Sequence, residues 1–321
     1  MKNIFKIIFI LCLGIFVVTG CADNSSGNGG GNTENTGGDN NGNGGNTGNG
    51  GDNNGDGDNT GEVYTPEFTK LISLGGLSYG ETADGKRYVW GNAGELAGAG
   101  NKDEVTTPVE VDLTITDNIT KINNNSLNGA TYYIITDKGL YVWGYNRYGQ
   151  AGNGESGYEK DEDGNDDFYN PKRVLTPHKV QGIDGSIKKI IPGNTVYALT
   201  ENGLYAWGHN EAGQVGNGSA CIALPPYKVK DITGNIKEVI PGSTVYVLTD
   251  TGLYAWGDNG NGEVGNGDGG YEKGEDGNDD YSKPKQVLTP YKVEGITGNI
   301  KEVIPGNTVY ALTENGLYAW G

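Results

Sequence analysis

From about residue 62 onward, apolar residues come in short runs rich in Val, Ile, Tyr and Trp, each bounded by Pro, Gly or Asp. Lys237–Ile240, Thr244–Thr249 and Leu253–Trp256 are one such set, and their length and composition predict β-strands. Between the second and third runs stand Asp84-Gly85, Lys138-Gly139, Asn202-Gly203, Thr251-Gly252 and Asn315-Gly316, where glycine supplies the positive φ of a tight hairpin turn. A fourth strand is expected at Tyr227–Ile232 and at its equivalents Pro177–Ile183 and Pro290–Ile296. Val196 and Ala198 alternate with Tyr197 and Leu199, so both faces of the strand are apolar. Small sheets covered front and back require this pattern, and no helical periodicity competes with it.

The runs recur. Ile-Pro-Gly-(Asn/Ser)-Thr-Val-Tyr-(Ala/Val)-Leu-Thr, two residues and Gly-Leu-Tyr-Ala-Trp-Gly begins at Ile191, Ile240 and Ile304, with looser copies ending at Trp90 and Trp143. Trp90, Trp143, Trp207, Trp256 and Trp320 lie 53, 64, 49 and 64 residues apart, so a 49-residue unit carries 15 extra residues in alternate copies. Stacked, equivalent supersecondary units follow from such a period. Radially packed four-stranded sheets, the blades of a β-propeller, satisfy both the period and the two-sided burial.

Trp207-Gly-His-Asn-Glu-Ala-Gly-Gln-Val-Gly-Asn-Gly218 resembles the regulator-of-chromosome-condensation repeat, a strand ending in Trp-Gly, then Asn, then Gly-Gln-Leu-Gly-x-Gly. Gly144–Gly154 repeats the motif, and Gly257–Gly267 does so with Glu263 for Gln. The copies depart from the family in lacking its histidine before the hairpin, and the Gly91–Gly100 copy is one residue short, as suits a terminal repeat. The resemblance implies an all-β propeller. About four and a half blades are present, near residues 66–118, 119–186, 187–235, 236–299 and 300–321, the last partial. A complete ring of the family has seven, so the chain reads as an incomplete ring and the N-terminal part of a longer protein.

Ahead of the repeats, Lys2 and Lys6 precede an apolar run from Ile7 to Val18, too short for the roughly 20 residues of a membrane span. The run ends in Val18-Thr19-Gly20-Cys21, which resembles the lipobox of bacterial lipoprotein signals. Residues 1–20 are thus expected to be a signal peptide and Cys21 a lipidated, palmitate-bearing N-terminus. Residues 21–61 are almost wholly Asn, Gly, Asp, Thr and Ser, cannot bury a core, and read as a flexible tether with a reach of roughly 35 Å. Asp52–Gly57 within it matches half a calcium loop but has Val63 where the distant Glu belongs, so it reads as linker. With Cys12 lost and Cys21 blocked, Cys221 is expected to be a lone, packed thiol.

Losing Lys2 and Lys6 leaves 21 basic against 41 acidic residues, a formal charge of −20 that repels nucleic acid and anionic lipid alike. Catalytic chemistry finds little purchase. His178 aligns with Tyr227 and Tyr291 and His209 with Tyr145 and Asp258, which points to packing and loop polarity. Trp143, Trp207 and Trp256 read as blade core, and Asn146, Asn210 and Asn259 as turn residues that bond backbone. No enzyme activity, metal or cofactor is expected.

The insertions differ from everything else. Gly157–Phe168 and its twin Gly270–Tyr281 are acidic, and Asp163, Asp166, Asp167, Asp276, Asp279 and Asp280 are candidate partner-binding residues. Calcium at Asp163, Asn165, Asp167, Asp276, Asn278 and Asp280 is disfavoured: Phe168 and Tyr281 replace the required glycine, and Val174 and Val287 the distant Glu. A solvated acidic loop is the expected form. The functional expectation is a lipid-tethered exported protein of the bacterial cell envelope, facing periplasm or exterior, whose propeller is a receptor-like scaffold for a protein or other macromolecule. Inhibition of a secreted or periplasmic enzyme is the main alternative. Guanine-nucleotide exchange, implied by the family's founding member, suits an exported acidic chain poorly, and a polysaccharide hydrolase or lyase lacks a specific carboxylate pair.

Overall fold

A computed structural model describes residues 66–74, 77–91, 105–113, 115–125 and 131–321. The expected signal peptide, Cys21, the tether with its Asp52–Gly57 string, and most of the Gly91–Gly100 turn lie outside the described residues. Thr65–Gly321 is one compact unit.

Every described element is a β-strand. The first sheet runs β1 (Phe68–Leu74), β2 (Leu77–Thr82), β3 (Arg87–Gly91) and β4 (Val105–Glu110). The second joins β5 (Ile119–Asn125), β6 (Thr131–Thr136) and β7 (Gly139–Tyr145) to β10 (Arg173–Lys179); β8 (Tyr158–Lys160) and β9 (Asp166–Pro171) pair apart from it. The third comprises β11 (Ile187–Ile191), β12 (Thr195–Thr200), β13 (Gly203–Gly208) and β14 (Ala223–Lys228). The fourth joins β15 (Ile236–Ile240), β16 (Thr244–Thr249) and β17 (Leu253–Asp258) to β20 (Gln286–Lys292), with β18 (Tyr271–Lys273) and β19 (Asp279–Pro284) as a separate pair. The fifth sheet has three strands: β21 (Ile300–Ile304), β22 (Val309–Thr313) and β23 (Leu317–Trp320). All pairings are antiparallel, so each sheet is an up-and-down propeller blade.

One turn chemistry builds the central hairpins. Thr200 Oγ1 donates to the Gly203 carbonyl and accepts the Asn202 amide, and Thr136, Thr249 and Thr313 do the same in their sheets. The fourth strand starts four residues earlier than the apolar pattern predicts. In β14, Gly208 pairs with Ala223, a bulge follows, and Ala206 pairs with Tyr227, so Pro225 and Pro226 lie within the strand. An outer strand tolerates prolines because one side of its backbone has no ladder to maintain.

The core lies between sheets. Tyr133, Ile135, Leu140 and Val142 of the second sheet pack against Val196, Ala198, Tyr205 and Trp207 of the third. The next two interfaces repeat the arrangement with Tyr197 and Leu204 against Val245, Tyr254 and Trp256, then Tyr246 and Leu253 against Val303 and Val309. Trp143, Trp207 and Trp256 are fully buried, as core residues. Each large aromatic removes roughly 150–250 Å² from water, so these interfaces dominate the apolar stabilisation.

Cys221 departs from expectation. It is disulfide-bonded rather than a lone thiol; Cys12 and Cys21 lie outside the described residues.

Candidate functional site

The blade turns come first because they position everything that projects from them. Asn210 is fully buried: its Oδ1 accepts the Val215 amide at 2.7 Å while Nδ2 donates to Asn217 Oδ1, the Ser219 carbonyl and the Cys221 carbonyl. Asn146 and Asn259 tie their turns the same way. Gln150 and Gln214 accept an amide two residues back, and Glu263 uses both oxygens, one for the Asn261 amide and one for its Nδ2. A carboxylate therefore serves where the motif has an amide.

These turns also join neighbouring blades. The Gln214 carbonyl accepts Tyr197 Oη from its own blade at 2.9 Å and Trp256 Nε1 from the next at 2.8 Å. Glu263 does likewise for Tyr246 and Trp320, and the Gln150 carbonyl accepts Trp207 Nε1. Burial raises the Tyr197 and Tyr246 phenols far above their usual range, keeping them neutral donors.

Both insertions fold into β-hairpins rather than loops. Gly157 and Gly270, each with positive φ, start them, and the Lys172 and Lys285 amides close them onto the Gly157 and Gly270 carbonyls. Lys160 meets Asp166 at 2.7 Å in the first, and Lys273 meets Asp279 at 2.7 Å in the second. Tyr158 packs edge-on against Phe168 and Tyr271 against Tyr281, at centroid separations of 5.1 and 5.0 Å. Both hairpins leave the sheet between its third and fourth strands, at the end away from the central Thr-x-x-Gly turn.

The candidate aspartates divide by role. Asp166 and Asp279 pair with the hairpin lysines. Asp167 accepts the Tyr169 amide, and Asp280 accepts the Ser282 amide and hydroxyl with Lys283 at 3.5 Å. Asp276 takes the backbone amide and side-chain Nδ2 of Asn278; in the first hairpin Asp161, not Asp163, accepts the turn amides of Asp163 and Asn165. Hydrogen bonds from the Asn278 side chain and backbone hold the Asp276 carboxyl below its usual range, and those from Ser282 do the same for Asp280. Asp163 is exposed. These carboxylates cap turns instead of converging, and among the described residues no group of three or more His, Cys, Asp or Glu is placed to hold a metal ion.

What the sequence reading missed is aromatic. Phe168 is 71% exposed, Tyr169 98% and Tyr281 77%. In the sequence Phe168 and Tyr281 stand out only as departures from a calcium pattern, although large rings amid Asp and Asn signal a surface rather than a core. At the root of the first hairpin, Arg147 lies 4.9 and 4.8 Å from the rings of Tyr148 and Tyr158, a cation–π sandwich. Tyr148 meets His209 edge-on at 4.9 Å; His209 bonds Gln214 Nε2 through Nδ1 and sits 3.3 Å from Glu211. His209 is thereby part of the turn's packing, and His178 pairs with Val142 as a half-buried strand residue.

Over 143 residues, 43% of the chain, the sequence is 32% identical to the Ultraviolet-B receptor UVR8 of Arabidopsis thaliana, covering 28% of that protein. Among solved structures, human WBSCR16 superposes with a TM-score of 0.49 at 19% identity, covering 80% of this chain and 62% of that one. Prp20p of Saccharomyces cerevisiae gives 0.46 at 22%, covering 79% and 58%. The chain spans less than two thirds of each. No protein-family model matches it. The recurring Trp-Gly turn and the four-stranded antiparallel blades make the fold all-β, a propeller of the regulator-of-chromosome-condensation type in which four full blades and a three-stranded fifth are described.

Proposed function

We propose that this protein is an exported, lipid-tethered interaction scaffold, anchored at Cys21, that presents two hairpins with acidic tips and exposed aromatic rings on their return strands to a macromolecular partner. The observation that carries the reading is the exposure of Phe168, Tyr169 and Tyr281 on two hairpins held rigid by the same Lys–Asp pair and the same edge-on ring contact. Exposed aromatic rings are the side chains that most often anchor protein interfaces, and surrounding carboxylates select a basic partner and speed its approach. A partner's lysine or arginine gains on both counts, over the ring face and beside the carboxylate. The likeness to UVR8 supports the repeat, not that receptor's light response.

The test uses the lipid-free protein immobilised to capture partners from envelope and secreted fractions, followed by affinity measurement on the captured protein. Replacing Asp163, Asp166, Asp167, Asp276, Asp279 and Asp280 with Ala is expected to weaken binding about tenfold or more at low salt and to flatten its salt dependence. Unchanged affinity would remove the carboxylates from the site.

A further inference from the structure

The two hairpins differ around one carboxylate. Alternation along β9 puts Asp167 and Tyr169 on one face and Phe168, which packs on Tyr158, on the other. Asp167 Oδ1 accepts the Tyr169 amide at 3.1 Å, the one hydrogen bond this side chain makes among the described residues, and the Tyr169 ring is 98% exposed. On β19 of the second hairpin the same face carries Asp280 and Ser282. Both oxygens of Asp280 are engaged: Oδ1 accepts the Ser282 amide at 3.1 Å and its hydroxyl at 2.6 Å, and Oδ2 meets Lys283 Nζ at 3.5 Å. Tyr169 and Asn170 stand where Ser282 and Lys283 do, so the first hairpin has a ring in place of the hydroxyl and an amide in place of the cation.

We infer, on the scaffold function proposed for the hairpins, that Asp167 and Tyr169 form a receptor for one arginine side chain of a protein partner, and that Ser282 and Lys283 fill the same place in the second hairpin. Residues two apart on one strand face are separated by roughly 7 Å, so a guanidinium lying over the phenol ring also reaches the carboxylate. The bond from the Tyr169 amide fixes that carboxylate beside the ring. Two contacts within the chain show the halves of the arrangement. Arg147, at the root of the first hairpin, lies 4.9 and 4.8 Å from the ring centres of Tyr148 and Tyr158, a guanidinium over phenols. Lys283 beside Asp280 is a cation at the equivalent carboxylate. Arginine is the better occupant because its planar fork pairs with a carboxylate through parallel bonds and stacks flat on a ring, whereas the lysine ammonium is compact and strongly hydrated.

The experiment titrates the lipid-free protein with acetyl-Gly-Arg-Gly-amide, and with its lysine and citrulline counterparts, at low salt while backbone amide shifts are followed by NMR. The arginine peptide shifts the amides of residues 167–169 along a saturating curve and leaves those of residues 280–282 in place. The lysine peptide binds about threefold more weakly, and the uncharged citrulline peptide does not saturate. Asp167→Asn, which keeps an acceptor for the Tyr169 amide, weakens the arginine peptide about tenfold, as does Tyr169→Ser combined with Asn170→Lys, while Tyr169→Phe binds like the parent. Ser282→Tyr with Lys283→Asn creates a second site of matching affinity. Equal shifts at the two hairpins of the parent, or binding indifferent to Asp167→Asn, overturn the inference and leave the acidic scaffold standing. No saturable shift at either hairpin overturns it as well, and the scaffold function then rests on the response of the captured partner to the six aspartate replacements.

Discussion

Single atoms decide how neighbouring blades meet. Gly216 has φ of +72°, and a Cβ there would lie 2.9 Å from Trp256 Nε1; Gly218, at φ +83°, has nothing within 4 Å. Both positions favour glycine, but only the first makes room for the indole that donates to the Gln214 carbonyl. Gly218→Ala therefore bears only the left-handed backbone cost, about 1–2 kcal/mol, while Gly216→Ala adds a packing penalty for a total of about 2–5 kcal/mol. Urea unfolding of the two variants measures the difference, and equal losses would mean the close approach carries no weight. The tryptophans, the Asn of each turn and the Thr-x-x-Gly hairpins were legible in the sequence because identical packing demands identical residues. The Phe68 ring, stacked on Trp90 and lying over Gly80, was not, because a residue used once leaves no period.

At the scale of the strand, polar joints pin the blade ends. Asp117, almost fully buried, accepts Tyr141 Oη from β7 at 3.0 Å, with Lys138 of the hairpin turn and Lys179 of β10 each at 3.3 Å. Burial pushes its carboxyl pKa up, but hydrogen bonds from Tyr141, Lys138 and Lys179 outweigh this and hold it below the usual carboxylate value. A carboxylate depressed on folding contributes stability that is present above its unfolded pKa, about 4, and lost as pH falls through the lower folded value. Asp117→Asn is expected to melt below the parent at pH 7, with the gap closing as pH drops below about 4. Thermal melts across pH check this, and a gap constant with pH would show that the charge is immaterial. Strand pairing also set the limit of sequence reading at this scale. Prolines at Pro177, Pro225, Pro226 and Pro290 suggested strand boundaries, yet each lies within an outer strand that pairs on both sides of a bulge. The insertions, read as loops for their acidity, close as hairpins through Lys–Asp pairing and ring packing, which composition does not report.

Over the whole molecule, what is repeated builds the fold and what is added carries the proposed function. The two hairpins recur 113 residues apart with two blades' worth of sequence between equivalent positions, so a partner engaging both gains by avidity when its own basic sites match that span. Each hairpin is tied at its base by backbone bonds through Gly157 and Lys172, or Gly270 and Lys285, outside the sheet ladders, so removing the residues between them leaves the blade cores whole. The most direct test replaces residues 158–171 and 271–284 with Gly-Ser turns and measures affinity for the captured partner beside far-ultraviolet circular dichroism. The account predicts an unchanged β signature with binding reduced at least a hundredfold, and an intermediate loss when one hairpin is removed. Full affinity in the doubly trimmed protein, with its blades intact, would contradict it.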